Sequence, residues 1–578
     1  MENDSDMMAS VPLVVLQGIK PLLNLSDIQR ARLACKEWAG ELAASVNSVK
    51  LPPHLWQLSN PKQQRELQRL VTTYWSFKHA ILQAGSEQDV CPEAMQAAVS
   101  TLRTIAALRS ISISNLGSTN SNSSSSSDAG SVSWAVALEG LSGLPDSVIS
   151  LDLTNARLPG PEGLSLLLQL HHIQHLTLHS SSSGKLQQQH VAAIAGMQQL
   201  KSLKLCFRTV AGALAEPLTL DCLGELGKLT HLEIRYTGMQ ELATGVCFAS
   251  EDLLPGCKQL VSLVLSRVPT PSLRGLFKLD QLKQVTLLQL APLDDNQARS
   301  LGLCRQLQQL TLDNMPLELL PRLATLTALT ALQLSLYSPP AAAAQGLPGG
   351  RNLLSLSALV NLQTLSLSGP VLVPAEQVQV FAAAWGRLRK LSLRVTLQGG
   401  SRGFAGFKVL EVLRVKPWCG GGSRPAGDAG LGEEEEGPLL SDALGVGGSG
   451  SRGSGTGLSS MGSALNKGSG LAVLGQCSQL EELSIVIGDR GLGPRAREAI
   501  AALPHLKMLK VCVAADAPAA AVRDLGGWLA GMRQLQWVGV GLEGPGAADA
   551  LPGLLDRLTC SLPACQVHML KGRIGAAA

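Results

Sequence analysis

The stretch Leu229-Thr230-His231-Leu232-Glu233-Ile234 is followed by Leu260-Val261-Ser262-Leu263-Val264-Leu265, and the same spacing returns at Leu307/Leu310/Leu312 and Leu362/Leu365/Leu367. Further copies open at Val148, Ile173, Leu200, Leu282, Leu329, Leu388, Leu410, Leu480, Leu506 and Leu535. About fifteen copies recur, mostly roughly 22 to 33 residues apart, so the fold is decided by a period and not by any single residue. The Leu-x-Leu core alternates with a period of two. It therefore reads as a short strand whose leucines point to one side and whose intervening residues point to the other. One such unit cannot bury its apolar face alone, so successive units must stack.

Leu-x-x-Leu-x-Leu at this period is the signature of leucine-rich repeats. The expected fold class is α/β: a leucine-rich-repeat solenoid, or horseshoe, with parallel strands on its inner side and a small all-α module at the N-terminus. The remainder of each unit, such as Gln187 to Gln198 or Glu376 to Trp385, is long enough for a helix or a looser turn. An asparagine three residues past the last leucine is mostly missing. Asn155 and Asn314 fall one residue early, so a complete ladder of side-chain amides is not expected and some copies should be irregular.

The 578 residues carry 48 Lys+Arg against 44 Asp+Glu. With no global field, neither nucleic acid nor an anionic membrane is expected as a partner, and charged recognition must be local. Twelve cysteines lack any Cys-x-x-Cys pair. Several of them, such as Cys206, Cys304 and Cys512, sit at core or strand positions, so reduced thiols are expected. The start of the chain is acidic, and the apolar stretch from Val11 is broken by Pro12, Gln17, Lys20 and Pro21, unlike a secretory leader. No apolar run of about 18 residues occurs, and the expected location is cytoplasmic or nuclear.

Residues 8–50 read as a helical module and 51–107 as a helical linker and array cap. Within the linker, Leu67, Leu70, Val71, Tyr74, Phe77 and Ile81 predict a helix over 64–84, and Met95 to Leu108 predict another behind Pro92. Repeats follow over 108–418, starting at Leu108/Ile111/Ile113 and interrupted by a Ser/Asn/Gly-rich tract at about 117–133 that cannot bury enough surface to fold. A Gly/Ser-rich insertion spans 419–470 and carries the acidic run Glu433 to Glu436. Repeats and a cap are expected again over 471–578.

In the N-terminal module, Ser10 can cap a helix with Pro12 in its first turn, and Leu13, Leu16, Ile19 and Leu23 form its apolar stripe. A second helix opens with the capping-box pattern Ser26-x-x-Gln29 and places Ile28, Ala31, Cys35, Trp38 and Leu42 on one face. The run VPLVVLQGIKPLLNLSDIQRARLACKEW resembles an F-box at Val11, Pro12, Ile19, Leu23, Asp27, Ile28, Ala34, Cys35 and Trp38. Val14 stands where an acidic residue is usual. Pro21 falls inside the expected first helix, where an interior proline costs roughly 3 kcal/mol unless the helix bends or ends.

Joined to the repeats, this resembles the F-box leucine-rich-repeat family. The resemblance implies a non-catalytic substrate receptor of an SCF-type cullin ubiquitin ligase. Pro12, Leu16, Ile19, Leu23, Ile28, Cys35 and Trp38 would bind the adaptor, and through it a cullin, while the repeat face binds a protein substrate. The other reading is a helical cap on a repeat scaffold unrelated to ubiquitin.

Chemistry of other kinds finds little support, and neither a cofactor nor a metal is expected. Gly448/Gly450/Gly453 lie in the insertion without a strand before or a helix after them. His171, His172, His175 and His179 would suit a metal on a helix. In the repeat register, however, His175 and His179 flank Thr177 on the inner strand face.

The informative surface is that face. It reads His175, Thr177, His179; Ser202, Lys204; His231, Glu233, Arg235; Ser262, Ser266; Gln309, Thr311, Asp313; and Thr364, Ser366, Ser368. Lys390, Arg394, Arg414 and Lys416 then add four cations without a compensating acid. They are candidates for binding an acidic or phosphorylated segment. A solvated patch, or association with Glu433 to Glu436, would explain the same residues.

Overall fold

The structure is a computed structural model. It describes residues 48–51, 61–73, 77–83, 98–114, 144, 146–156, 168–180, 188–207, 218–236, 246–248, 254–268, 273–288, 292–337, 350–398, 402–416, 471–487, 492–513, 519–542 and 551–570. The F-box-like helices, the tract at 117–133 and the insertion at 419–470 lie outside these residues.

The chain divides into two units, Met1–Leu307 and Gln308–Ala578. Apart from the small pair Leu218–Thr219 and Val246–Cys247, each unit has nine strands among the described residues, and every pairing within a unit is parallel. Each unit is thus a run of leucine-rich-repeat solenoid, as the leucine period requires.

In the first unit the pairs Leu203↔Leu232, Leu232↔Leu263 and Leu263↔Val285 form one buried row, and Leu205↔Ile234, Ile234↔Leu265 and Leu265↔Leu287 form the next. All eight side chains are at most 1% exposed. Full burial of each contributes about 1.5–3 kcal/mol, and that gain offsets the entropy of ordering the coil. The ladder begins one residue before the strands themselves: the amides of Thr230, Val261 and Lys283 donate to the carbonyls of Lys201, Thr230 and Val261 at 2.8, 2.8 and 2.9 Å.

The ladder also begins earlier than the leucine pattern suggests. The single helix expected over 64–84 is instead a helix, Pro61–Thr73, followed by a strand, His79–Gln83. Ser48–Leu51 pairs with that strand, and it pairs in turn with Ser110–Ser114. Phe77, Ala80 and Leu82 take the three apolar positions and are at most 1% exposed. Their helical spacing with Tyr74 and Ile81 is coincidental, since Ile81 belongs to the opposite strand face.

On the far side of each coil the connection varies. Of the two forms open to these segments, Gln188–Ala195 and Ala375–Ala384 take the helix, whereas Asp221–Glu225 and Leu276–Lys278 are short 3-10 turns. Asp295–Gly302 starts with a full capping box: Asp294 Oδ1 accepts from the Gln297 amide at 2.7 Å, and Gln297 Oε1 accepts from the Asp294 amide at 3.1 Å. Trp385 anchors this layer, 1% exposed, stacked on Phe381 at 4.4 Å and donating from Nε1 to the Leu356 carbonyl at 3.1 Å.

Two of the irregularities lie beside the displaced asparagines. The pairing shifts register between Leu153 and Ala156 and between Leu312 and Met315, bracketing Asn155 and Asn314. Asn314 has φ 55°, a left-handed conformation that asparagine tolerates better than most residues. A third shift follows Ser368, at Gly369, whose φ is 140°.

The Gly/Ser-rich insertion interrupts no pairing. Val412 faces Glu482 and Leu413 faces Leu483 in direct register, so the strands on either side of the insertion are neighbours. A stack of repeats tolerates extra chain between units because each core is local.

Candidate functional site

The intervening residues of consecutive strands line up as rows across the inner face. In the second unit one row runs Thr364, Lys390, Val412, Glu482, Met508, Trp537, Gln566. The row beside it runs Ser366, Ser392, Arg414, Ser484, Lys510, Gly539, His568. The four basic candidates are therefore brought together: Lys390 and Arg394 lie on one strand, with Arg414 and Lys416 on the next, and Arg394 is in register with Lys416. Lys390, Arg394 and Arg414 are exposed.

One sequence expectation is corrected here. The basic stretch does have a compensating acid, because Arg414 Nη2 and Nε lie 2.7 and 2.9 Å from Glu482 Oε1. The row at the strand entrances is balanced too, with Arg389–Glu411 at 3.4 Å and Lys507–Glu481 at 3.0 Å. Lys510, in register with Ser484, joins the four expected cations in these rows.

Beyond Lys510 the face turns apolar and aromatic. Met508 is 39% exposed, half-exposed Trp537 stacks on His568 at 5.7 Å, and Gly539 and Gly541 place no side chain in the rows between them. Exposed sulfur and indole surface beside cations suits a segment that presents acidic and apolar groups together. Glu482, Met508, Lys510, Trp537 and His568 were all missed from sequence. They occupy the positions flanking the core residues of their strands, so extending the inner-face register past Leu410 finds them.

The first unit's face is different in kind. Glu233 lies 3.3 Å from Lys204 Nζ and 2.6 Å from Arg235 Nε. Asp152 accepts from Thr154 Oγ1 at 2.7 Å and from Ser112 Oγ at 3.4 Å. Glu233 is thus paired with two cations, and Asp152 is held by two hydroxyls. Burial, then Lys204, lowers the pKa of His179, while Asp152 and Glu233 pull the other way. Burial, then Lys201 and His231, lowers that of His175. Burial pushes the Cys206 thiol up to about 11, which leaves it a poor nucleophile at neutral pH.

The four histidines near 175 do not share a helix. His175 and His179 lie on the strand His175–Ser180, as the register predicts, whereas His171 and His172 lie in the turn before it, beside Asp146 of the preceding repeat. No other His, Cys, Asp or Glu cluster with metal-like spacing occurs among the described residues. The adaptor-binding candidates Pro12, Leu16, Ile19, Leu23, Ile28, Cys35 and Trp38 lie outside the described residues. Among the described residues, no helix is long and apolar enough to cross a membrane.

No protein-family model matches the chain, and no curated protein sequence matches it. Among solved structures it is similar to an internalin (inlF) from Listeria monocytogenes str. 4b F2365, with 14% sequence identity over 63% of this chain and 97% of that one, at a TM-score of 0.38. The leucine-rich-repeat assignment stands on the chain's own register: parallel strands whose buried leucines fall in rows and whose intervening residues line the opposite face.

Proposed function

We propose that this chain is a non-catalytic protein-recognition subunit. Its repeat face binds a protein substrate, and residues 11–38 tether it to the adaptor of an SCF-type cullin ubiquitin ligase. The observation that carries substrate recognition is the joining of Lys390, Arg394, Arg414 and Lys416 into one patch bordered by Met508 and Trp537. The ligase assignment is supported by the resemblance of Pro12 to Trp38 to an F-box. Its mechanism is proximity: the bound substrate's lysines are held near a ubiquitin-charged partner, which converts a bimolecular encounter into a local one.

Affinity purification of the full chain tests this reading. Recovery of the adaptor and a cullin is expected, with loss of both on deleting residues 11–50 or on Trp38→Asp. Retention of other partners without adaptor or cullin would replace the ligase reading with that of a repeat scaffold unrelated to ubiquitin.

A further inference from the structure

Asp146 lies four residues before the strand Ser150–Ala156, and His171 lies four residues before the next strand, His175–Ser180. They therefore hold equivalent positions in successive repeats. The two turns are stacked by the ladder, since the Ile149 carbonyl accepts from the amides of Gln174 at 2.8 Å and His175 at 3.0 Å. His172 stands beside them, its Nδ1 3.6 Å from Asp146 Oδ1. One ligand atom from each of the three residues lies within 4.8 Å of the others.

Two observations are left without a purely structural account. The His172 side chain is only 10% exposed, yet both its ring nitrogens, and Ser147 Oγ at the equivalent position one repeat earlier, lack a hydrogen-bond partner. Buried polar atoms are normally satisfied, so these three atoms call for a partner. Secondly, His171 Nδ1 lies 2.9 Å from the Gln169 carbonyl, the outer hydrogen bond that fixes the tautomer of a metal-binding histidine and leaves Nε2 as the ligating atom. The nearby Arg109 does not compete for the carboxylate, as its Nη1 donates to the carbonyls of Ala106, Leu108 and Ser147.

We propose that Asp146, His171 and His172 bind a divalent transition-metal ion of the zinc class. Two imidazole nitrogens and one carboxylate oxygen suit such an ion, whereas calcium and magnesium take oxygen ligands. Bonds of about 2.0–2.2 Å place tetrahedral ligands roughly 3.3–3.5 Å apart, close to the His172–Asp146 separation. Asp146 is 88% exposed and can swing to close the remainder. Three protein ligands leave a fourth position, open to water or to a side chain of a bound protein. The site thus provides a metal-dependent contact at the entrance edge of the strands.

Titration of the metal-free full-length chain with Zn²⁺ and Co²⁺, in competition with a chromophoric chelator, tests the assignment. Expected is a site whose Co²⁺ spectrum shows no thiolate charge-transfer band. Asp146→Asn and His171→Ala, both at exposed positions where folding is preserved, should each weaken it at least about tenfold. Affinity unchanged in both variants would overturn the proposal and leave His172–Asp146 as a plain ion pair. A thiolate band lost only with cysteine substitutions would overturn it as well, placing the ion on cysteines.

Discussion

Arg414 and Glu482 are 68 residues apart in the chain, yet they meet on adjacent parallel strands, with guanidinium nitrogens 2.7 and 2.9 Å from one carboxylate oxygen. Because Arg414 is half exposed, the pair contributes only about 0.2–1 kcal/mol to stability. On the proposed reading its larger effect would be on recognition, since Glu482 occupies the guanidinium that an acidic partner would use.

Glu482→Gln should therefore leave the thermal midpoint nearly unchanged and strengthen binding of poly-glutamate at low salt. Reversing Lys390, Arg394, Arg414 and Lys416 together should abolish that binding with the fold intact by circular dichroism. Identical binding by the wild type and the reversed variant would remove this patch from consideration.

Gly369→Ala should be among the more destabilising single-methyl changes in the second unit. At φ 140° an L side chain is strained, and an added Cβ would lie 2.6 Å from the Leu336 carbonyl oxygen and 2.8 Å from Leu336 Cβ. A loss of about 1–3 kcal/mol is expected in urea unfolding with an unchanged m-value. An unchanged midpoint would show that the register shift after Ser368 relaxes at no cost.

Trp385 separates packing from hydrogen bonding. Trp385→Phe keeps an aromatic ring against Phe381 but leaves the buried Leu356 carbonyl without its indole donor, a cost of about 1–3 kcal/mol. Trp385→Ala should cost about 3–5 kcal/mol through the cavity. Equal losses in the two variants would mean that the indole N–H dominates.

Stability should fall on mild acidification. His179 and His175 have pKa values lowered from 6.5, mainly by burial, so below that pH the unfolded chain binds more protons than the folded one. The linked penalty is absent at higher pH. It sets in as pH drops below 6.5 and stops growing once pH is below the lowered folded-state values. His179→Asn should reduce the drop in thermal midpoint between about pH 7.5 and pH 5.5, and His175 and His172, whose pKa burial also lowers, should sustain the remainder. A drop of the same size in His179→Asn would assign the effect elsewhere.

Much of the fold was legible because its cause is local and repeated. Leu232, Leu263 and Leu310 are buried for the same reason, and that reason is visible as a period. Where a copy departs from leucine the period hides: Phe77/Ala80/Leu82 fills the same three positions, but its neighbours Tyr74 and Ile81 imitate a helix. The binding face was legible only in part. Lys390 and Arg414 stand out as charges between leucines, whereas Met508 and Trp537 look like ordinary apolar residues until the register places them on the polar side.

By itself the sequence determined that strands stack through buried leucines and which residues alternate onto the opposite face, because side-chain alternation is a property of each strand alone. Only the tertiary structure decided which faces adjoin. It set Glu482 against Arg414 across the 419–470 insertion, and it set Asp146 beside His171 and His172 across a repeat. Such neighbours are chosen by the ladder's register between units, a long-range relation that no local spacing encodes.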